Sequence, residues 1–239
     1  MATNYGTSPI VQEGLYFCID PENTRSYPGT GPALSDLSGN GFNFTSGSAG
    51  AGIFTTDAKG RKCFDFTNTQ NKLFDSNINN TLTGEVGALS LSIVVSEEST
   101  AAYKTILGTN HSDSYDGISF VSLDGKFGTD HWAPRGAKCD TAHALNTVLQ
   151  VTWTIDSWST HFNTSSTKIY INGVQQAVST YGSGAQGSVV AAPWRIGAWQ
   201  DSRADMRYDG KLYFMAFYNR ELTEAEVLQN YRALQRRID

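Results

Sequence analysis

The sequence predicts an all-β fold, an antiparallel sandwich of two sheets followed by one short C-terminal helix. Apolar and polar residues alternate along several short segments, two-residue turn signals separate some of them, and no helices intervene. Only 17% of the residues are charged and 23 are glycine, a composition that disfavours long helices. Sandwiches of 239 residues often fold undivided, so we predict an extended arm over residues 1–13 and one domain over residues 14–239.

Five segments carry the alternation that is typical of strands. They are residues 15–19, 89–95, 151–155, 168–172 and 212–218. The last of these is apolar on both faces, which predicts a strand in the middle of a sheet, covered above and below. Trp153 and Trp194 are predicted to lie in the core.

Turn signals connect these strands. Asp124-Gly125 and Asn172-Gly173 each predict a two-residue hairpin, because a type I′ turn needs positive φ at both central positions. Asp209-Gly210 precedes the last strand and suggests a third turn with weaker flanks.

One helix is predicted after residue 222. Thr223 and Glu226 have the spacing of a capping box, and an apolar stripe follows at helical spacing. The stripe consists of Val227, Leu228, Tyr231 and Leu234. It is expected to pack on the chain's own sandwich, with a partner-binding face as the alternative. The basic residues Arg232, Arg236 and Arg237 are attributed to the helix dipole.

Charge and cysteine content exclude some functional classes. A net charge of −5 disfavours nucleic acid as a partner. No apolar run reaches the roughly 20 residues that span a bilayer, and the N-terminus lacks the features of a secretion signal. Three cysteines without a Cys-x-x-Cys motif indicate neither a disulfide framework nor a zinc site, although a Cys18–Cys63 bridge stays open if their strands are neighbours.

Two groups of short motifs carry a resemblance to a known family. The first contains Gly14-Leu15-Tyr16-Phe17, Ser26-Tyr27-Pro28-Gly29 and Asp36-Leu37-Ser38-Gly39-Asn40-Gly41. The second contains Arg195-Ile196-Gly197, Tyr208-Asp209-Gly210-Lys211-Leu212 and Phe217-Tyr218-Asn219-Arg220-Glu221-Leu222-Thr223. In order and spacing they resemble the concanavalin A-like lectin/glucanase superfamily, in its laminin-G-like jelly-roll branch. The resemblance implies a jelly roll whose first and last strands are adjacent.

The opening motifs are similar to domains found in virion proteins of tailed bacteriophages. The resemblance therefore implies a virion structural or decoration protein on a capsid, tail or fibre, which contacts other virion proteins or further copies of itself. A free carbohydrate-binding module or lectin is the alternative, located outside the cell or at its surface by a route without a signal peptide. A glycan-active enzyme is the third possibility.

The sequence offers no recognisable catalytic centre. Glucanases of the superfamily carry Glu-x-Asp-x-Glu on one strand, which places three carboxylates on one sheet face. Here Glu97 and Glu98 are adjacent and therefore point to opposite faces. We expect a protein without catalytic activity.

Calcium is the one cofactor that the resemblance suggests. Asp36 and Asn40 match one acidic family motif and Asp209 matches another, and Ca²⁺ needs several converging oxygen ligands. The alternative is that Asp36 and Asn40 close Asx-turns through their own backbone.

Glycan or partner contacts are predicted in three loops rich in aromatic and polar residues. Sugar recognition needs aromatic planes for stacking and polar groups for the hydroxyls. The candidates are Trp132, Arg135, Trp158, Trp199 and Arg203. The alternative is that the loop tryptophans cap the sandwich edges. In the arm, Pro9, Ile10 and Val11 are predicted to add onto a neighbouring subunit's sheet edge, with a disordered terminus as the alternative.

Overall fold

A computed structural model describes residues 9–46, 53–67, 73–82, 87–100, 103–109, 117–130, 135–158, 163–182, 189–198 and 206–239. The first strands are β1 (Leu15–Ile19), β2 (Ala33–Leu34), β3 (Phe44–Ser46), β4 (Phe54–Thr56), β5 (Lys62–Asp65), β6 (Phe74–Asn79), β7 (Leu89–Glu97), β8 (Lys104–Thr109) and β9 (Ser119–Leu123). They are followed by β10 (Lys126–Asp130), β11 (Arg135–Cys139), β12 (Leu149–Ile155), β13 (Thr167–Ile171), β14 (Val174–Gln175), β15 (Val178–Gly182), β16 (Pro193–Ile196), β17 (Gly210–Tyr218) and helix α1 (Glu224–Leu234).

The strands form two antiparallel sheets, as predicted. Sheet I has the order β14-β13-β12-β7-β17-β5-β4, and β1 also pairs with β17. Sheet II has the order β15-β11-β10-β9-β8-β16-β6-β3-β2. The first strand lies beside the last, with Cys18 opposite Ala216, so the implied jelly-roll arrangement is confirmed.

The core between the sheets is rich in aromatic side chains. Trp153 and Trp194 are both fully buried, as predicted. Phe217 of sheet I stacks on Phe17 and also contacts Trp194 of sheet II at a ring-centroid distance of 4.6 Å. Contacts between large rings add to the free energy of burying their area.

Helix α1 covers the outer face of sheet I. Its buried Val227, Ala233 and Leu234 join a second apolar cluster with side chains of β17, so the stripe packs on the chain's own sandwich. Thr223 and Glu226 form the predicted capping box. Hydrogen bonds from Arg220 contribute most to lowering the pKa of Glu226 to about 2, which keeps the capping carboxylate ionised.

The described part of the arm packs against this helix. The amide of Val11 donates to Asn230 Oδ1 at 2.8 Å, and Gln229 Nε2 donates to the carbonyl of Pro9 at 2.8 Å. Ile10 and Val11 are buried in the second apolar cluster of their own chain. Residues 1–8 lie outside the described residues, and pairing of the arm with a neighbouring subunit stays a prediction.

Two of the three predicted turns are confirmed. Asp124, Gly125, Asn172 and Gly173 all have positive φ. The third is wrong, because Gly210 is the first residue of β17 and pairs with Glu97. A Cβ on Gly210 would lie 2.3 Å from the carbonyl oxygen of Ser96, so glycine permits close strand approach there.

The three cysteines are buried and free. Cys18 lies opposite Ala216, whereas Phe64, next to Cys63, lies opposite Leu212. The two thiols therefore lie toward different ends of β17 and form no bridge. Burial is the main cause that raises the pKa of Cys63 to about 12, so this thiol stays protonated and unreactive.

The assignment of the basic cluster to the helix dipole is wrong for Arg237, which forms a buried ion pair. Its side chain is 2% exposed, and its guanidinium lies 2.8 Å from the buried carboxylate of Asp20 and 3.1 Å from Glu22. It also donates to the carbonyl of Tyr213 at 2.9 Å. Arg237 thus anchors the C-terminal segment to the β1 end of the sandwich.

Within the described residues, no helix has the length and apolar character needed to cross a membrane.

Candidate functional site

The outer faces of the two sheets differ in chemistry. The outer face of sheet I is covered by α1 and by apolar contacts. The outer face of sheet II instead carries a row of mostly polar and small residues that crosses eight neighbouring strands, one residue from each. We call this set the polar row. It consists of Thr45, Asp75, Arg195, Gly108, Ser119, Asp130, Gly136 and Tyr181.

An arginine–carboxylate pair forms one part of the row. Arg195 donates to both carboxylate oxygens of Asp75, at 2.6 and 2.8 Å. The Arg195 side chain is 2% exposed and the Asp75 side chain is 36% exposed. A bidentate pair fixes the orientation of the carboxylate, so Asp75 is the charged group of this pair that solvent or a ligand can reach.

A carboxylate held by two tyrosines forms another part of the row. Tyr181 Oη lies 2.9 Å from Asp130 Oδ1 and 2.8 Å from the carbonyl of Thr129, and Tyr103 Oη is hydrogen-bonded to Asp130 Oδ2. Burial, and then the charge of Asp130, raise the pKa of both tyrosines. Both phenols therefore remain protonated donors at physiological pH. Lys138 lies over the ring of Tyr181, 5.3 Å from its centroid.

Gly136 lets Tyr181 reach across β11 to β10. A Cβ on Gly136 would lie 1.9 Å from the carbonyl oxygen of Thr129 and 3.1 Å from the Tyr181 ring. We expect Gly136→Ala to lower the free energy of unfolding by about 1–3 kcal/mol, measured by urea denaturation, because backbone must move to admit the methyl group.

Gly87→Ala is the matched control for that substitution. A Cβ on Gly87 has no atom within 4 Å, so its unfolding free energy should stay near the wild-type value. Equal stability of the two variants would contradict the close packing assigned to Gly136.

The sequence-predicted contact residues divide into three groups. Trp132, Trp199 and Arg203 lie outside the described residues, on the segments that follow β10 and β16 of the polar row. Arg135 begins β11 opposite Gly182, and its side chain is not among those described. The prediction of Trp158 as a contact residue is wrong.

Trp158 is 1% exposed, and its ring centroid lies 6.0 Å from that of Phe120. Its ring is part of the core. The polar residues that flank Trp158 in sequence did not indicate that its side chain would be buried. Trp158 therefore leaves the set of contact candidates.

The sequence reasoning did not select Asp75, Asp130, Tyr103 or Tyr181. One available signal was the alternation within β10, where Lys126, Gly128 and Asp130 point outward and Phe127 points into the core. That pattern places Asp130 on a sheet face. It cannot reveal that Tyr181 of β15 and Tyr103, the residue before β8, converge on Asp130, because they lie 51 and 27 residues away in sequence.

The predicted calcium ligands do not form one site. Asp36 accepts hydrogen bonds from the amides of Cys18 and Ser38 at 2.9 and 2.8 Å, and Asn40 Nδ2 donates to the carbonyls of Leu15 and Tyr16. Asp36 therefore closes an Asx-turn with Ser38, as the alternative expected, whereas the Asn40 amide instead joins the loop to β1.

Asp209 lies at the other end of sheet I from that loop. Cys18 pairs with Ala216, seven residues beyond Asp209 along an extended chain, a distance of about 23 Å. One ion cannot bind Asp36 and Asp209 together. Across the described ranges, no three His, Cys, Asp or Glu side chains are grouped to hold a metal. Calcium at a single loop stays a prediction, which melting with added calcium and with chelator would test.

Comparisons with known proteins agree with this architecture. The profile of a laminin G family, described as the concanavalin A-like lectin/glucanases superfamily, matches residues 76–228. No curated protein sequence matches the chain significantly.

Solved structures with a similar fold include one domain matched over nearly its whole length and parts of longer chains. Domain 4 of AbnA, a GH43 extracellular arabinanase from Geobacillus stearothermophilus solved with arabinotriose, has a TM-score of 0.61 at 18% identity, covering 91% of this chain and 98% of that domain. The binding domain of Paraclostridial Mosquitocidal Protein 1 has a TM-score of 0.61 at 14% identity, covering 92% and 52%.

Trypanosoma rangeli sialidase in complex with sialic acid has a TM-score of 0.60 at 12% identity, covering 97% of this chain. The chain spans about a third (34%) of the sialidase. At these identities the likeness concerns the fold alone.

Proposed function

Because the chain belongs to the concanavalin A-like lectin/glucanases superfamily, we propose that it binds carbohydrate on the outer face of sheet II. The polar row is the observation that carries this proposal. It offers a partly exposed carboxylate at Asp75 and a tyrosine at Tyr181, and in sequence the segments with Trp132 and Trp199 follow two of its strands, β10 and β16. Sugar sites combine such polar groups with aromatic planes.

The contrast between the two sheets supports this choice of face. On sheet I, α1 and the segment around Val11 cover an apolar part of the outer face, whereas the polar row on sheet II presents the partly exposed Asp75. Two structures of similar fold add support, since one is the binding domain of Paraclostridial Mosquitocidal Protein 1 and the other, domain 4 of AbnA, was solved with arabinotriose.

We propose binding without catalysis. Asp75 and Asp130 lie on β6 and β10, which are four strand spacings apart in sheet II, or about 19 Å. Two-carboxylate glycoside hydrolysis uses carboxyl groups about 5–10 Å apart. The described carboxylates of the row are therefore too far apart to act as such a pair.

Isothermal titration of the purified chain against a panel of neutral and acidic oligosaccharides, arabinotriose included, tests the proposal. We expect Trp132→Ala and Asp75→Ala each to weaken binding of the best ligand at least about tenfold, the equivalent of 1.4 kcal/mol. Gln235→Ala, an exposed change after α1, is the matched control and should leave affinity unchanged. Absence of binding by the wild type, or equal affinity of all variants, contradicts the proposal.

Attachment to a virion and self-association remain predictions from the motif resemblance. Mass spectrometry of purified phage particles tests the first, and light scattering of the isolated chain tests the second.

A further inference from the structure

A groove lies on the opposite sheet from the polar row. It is formed where the β13–β14 hairpin meets the start of α1 and encloses about 430 Å³. We call it the hairpin groove. Its lining residues are Lys168, Tyr170, Gln175, Glu221, Leu222, Thr223 and Glu224. We propose that the hairpin groove is a second sugar-binding site, which takes one or two uncharged sugar units; this inference rests on the proposed carbohydrate binding.

The walls of the groove are fixed by packing. Gly173 in the hairpin turn approaches α1 so closely that a Cβ there would lie 3.2 Å from Tyr231 and 3.4 Å from Leu228. Tyr170 and Leu222 are 2% and 1% exposed, so they provide an ordered apolar base. A site whose walls are already in place loses little conformational entropy when a ligand binds.

The polar groups at the rim are mainly hydrogen-bond acceptors. Lys168 donates to Glu221 Oε1 at 3.2 Å, which leaves the second carboxylate oxygen of Glu221 available. That hydrogen bond is the largest cause raising the pKa of Lys168, so the ammonium stays charged. Glu224 and Gln175 are exposed and add a carboxylate and an amide. The vicinal hydroxyl groups of a sugar donate hydrogen bonds to carboxylates of this kind.

Size and charge define the ligand class. Small-molecule sites usually enclose about 300–1,000 Å³, and the hairpin groove lies near the lower limit. Two glutamates against one lysine give the rim a net negative charge, which disfavours uronic or sialic acids. Neutral hexose or pentose units match the volume of the groove and are not repelled by its negative rim.

A chain with sugar sites on both sheets would bind two glycans at once as a monomer. Its sites would face away from each other, since one lies on the outer face of sheet II and the other beside α1 on sheet I. Such a chain could cross-link neutral glycans without oligomerising.

Titration stoichiometry with the best neutral sugar from the panel tests this inference. We expect two equivalents of ligand for the wild type and one for the Gln175→Ala/Glu224→Ala double variant, both of whose changes are at exposed positions. Arg232→Ala, exposed on α1, is the control and should retain two. In parallel, the monomeric wild type should agglutinate sugar-coated beads and the double variant should not.

The outcomes separate the two proposals. One equivalent that is lost only in Trp132→Ala overturns the second site and leaves the proposed function intact. One equivalent that is lost only in the double variant supports the groove and overturns the site on sheet II. Binding of no sugar by the wild type overturns both.

Discussion

Arg237→Met is expected to lower the free energy of unfolding by about 3–5 kcal/mol at pH 7, because it leaves the buried carboxylate of Asp20 without its cation. Asp20 is fully buried, and the Arg237 guanidinium lies 2.8 Å from it. The Arg237 side chain also donates to the carbonyl of Tyr213. Urea denaturation of both chains at pH 7 measures the loss.

Arg236→Met is the matched control, one residue away. Its side chain is 68% exposed and pairs with Glu22 at 3.6 Å, so its removal should cost less than about 1 kcal/mol. Similar losses for the two variants would contradict the assignment of Arg237 as a buried anchor.

The cost of Arg237→Met should also depend on pH. Burial raises the pKa of Asp20, and Arg237 opposes that rise. A carboxyl group whose pKa is raised in the folded state stabilises the fold below its unfolded pKa, and this contribution is lost as pH rises through the folded pKa. Removing Arg237 raises the folded pKa of Asp20 further. The deficit of the variant should therefore be largest at neutral pH and should shrink as the pH falls toward about 4.

His143→Phe is the second substitution with a large expected effect. His143 Nε2 lies 2.5 Å from Glu97 Oε2, and both side chains are at most 2% exposed. Phenylalanine can keep the stacking on Phe127, whose ring centroid is 3.9 Å away, but it leaves Glu97 without the imidazole nitrogen of His143. We expect a loss of about 1–3 kcal/mol in unfolding free energy at pH 7, because a buried carboxyl group loses one of its two close polar partners.

A compensating change distinguishes the loss of a buried polar partner from steric misfit of the phenylalanine. Glu97→Met in the His143→Phe background removes the carboxyl group that lost its partner and should recover most of the lost stability, since replacing both members of a buried polar pair by apolar groups of similar shape can be nearly neutral. Ser122 Oγ, which donates to Glu97 at 2.8 Å, would then lose that acceptor and limit the recovery. A double variant less stable than His143→Phe alone would refute this account.

The sequence predicted strands wherever one buried face produced a regular alternation. Residues 89–95, 151–155 and 212–218 all lie in long strands, and β17 is central and covered on both faces. The capping box and the two turns with positive φ were also predictable, because these signals depend on residues adjacent in sequence. The short strands β2, β3 and β4 have two or three residues each, too few to establish a period.

The candidate site was less accessible to sequence reasoning. Its charged pairs join residues far apart in the chain, such as Asp75 and Arg195, which are 120 residues apart. No local pattern specifies which strands become neighbours, and the register alone brings those two side chains together. The burial of Trp158 could not be predicted from sequence either, since an aromatic residue between polar neighbours can point either inward or outward.

The position of β17 in sheet I delays the completion of that sheet during synthesis of the chain. Its partners β1, β5 and β7 all come much earlier in sequence, and Leu15 pairs with Tyr218. A ribosome adds about 5–20 residues per second, so the earliest strand waits about 10–40 s before its neighbour is synthesised. Sheet I therefore cannot be completed co-translationally until residue 218 has emerged, and its high contact order should make refolding slow compared with that of helical proteins of similar stability.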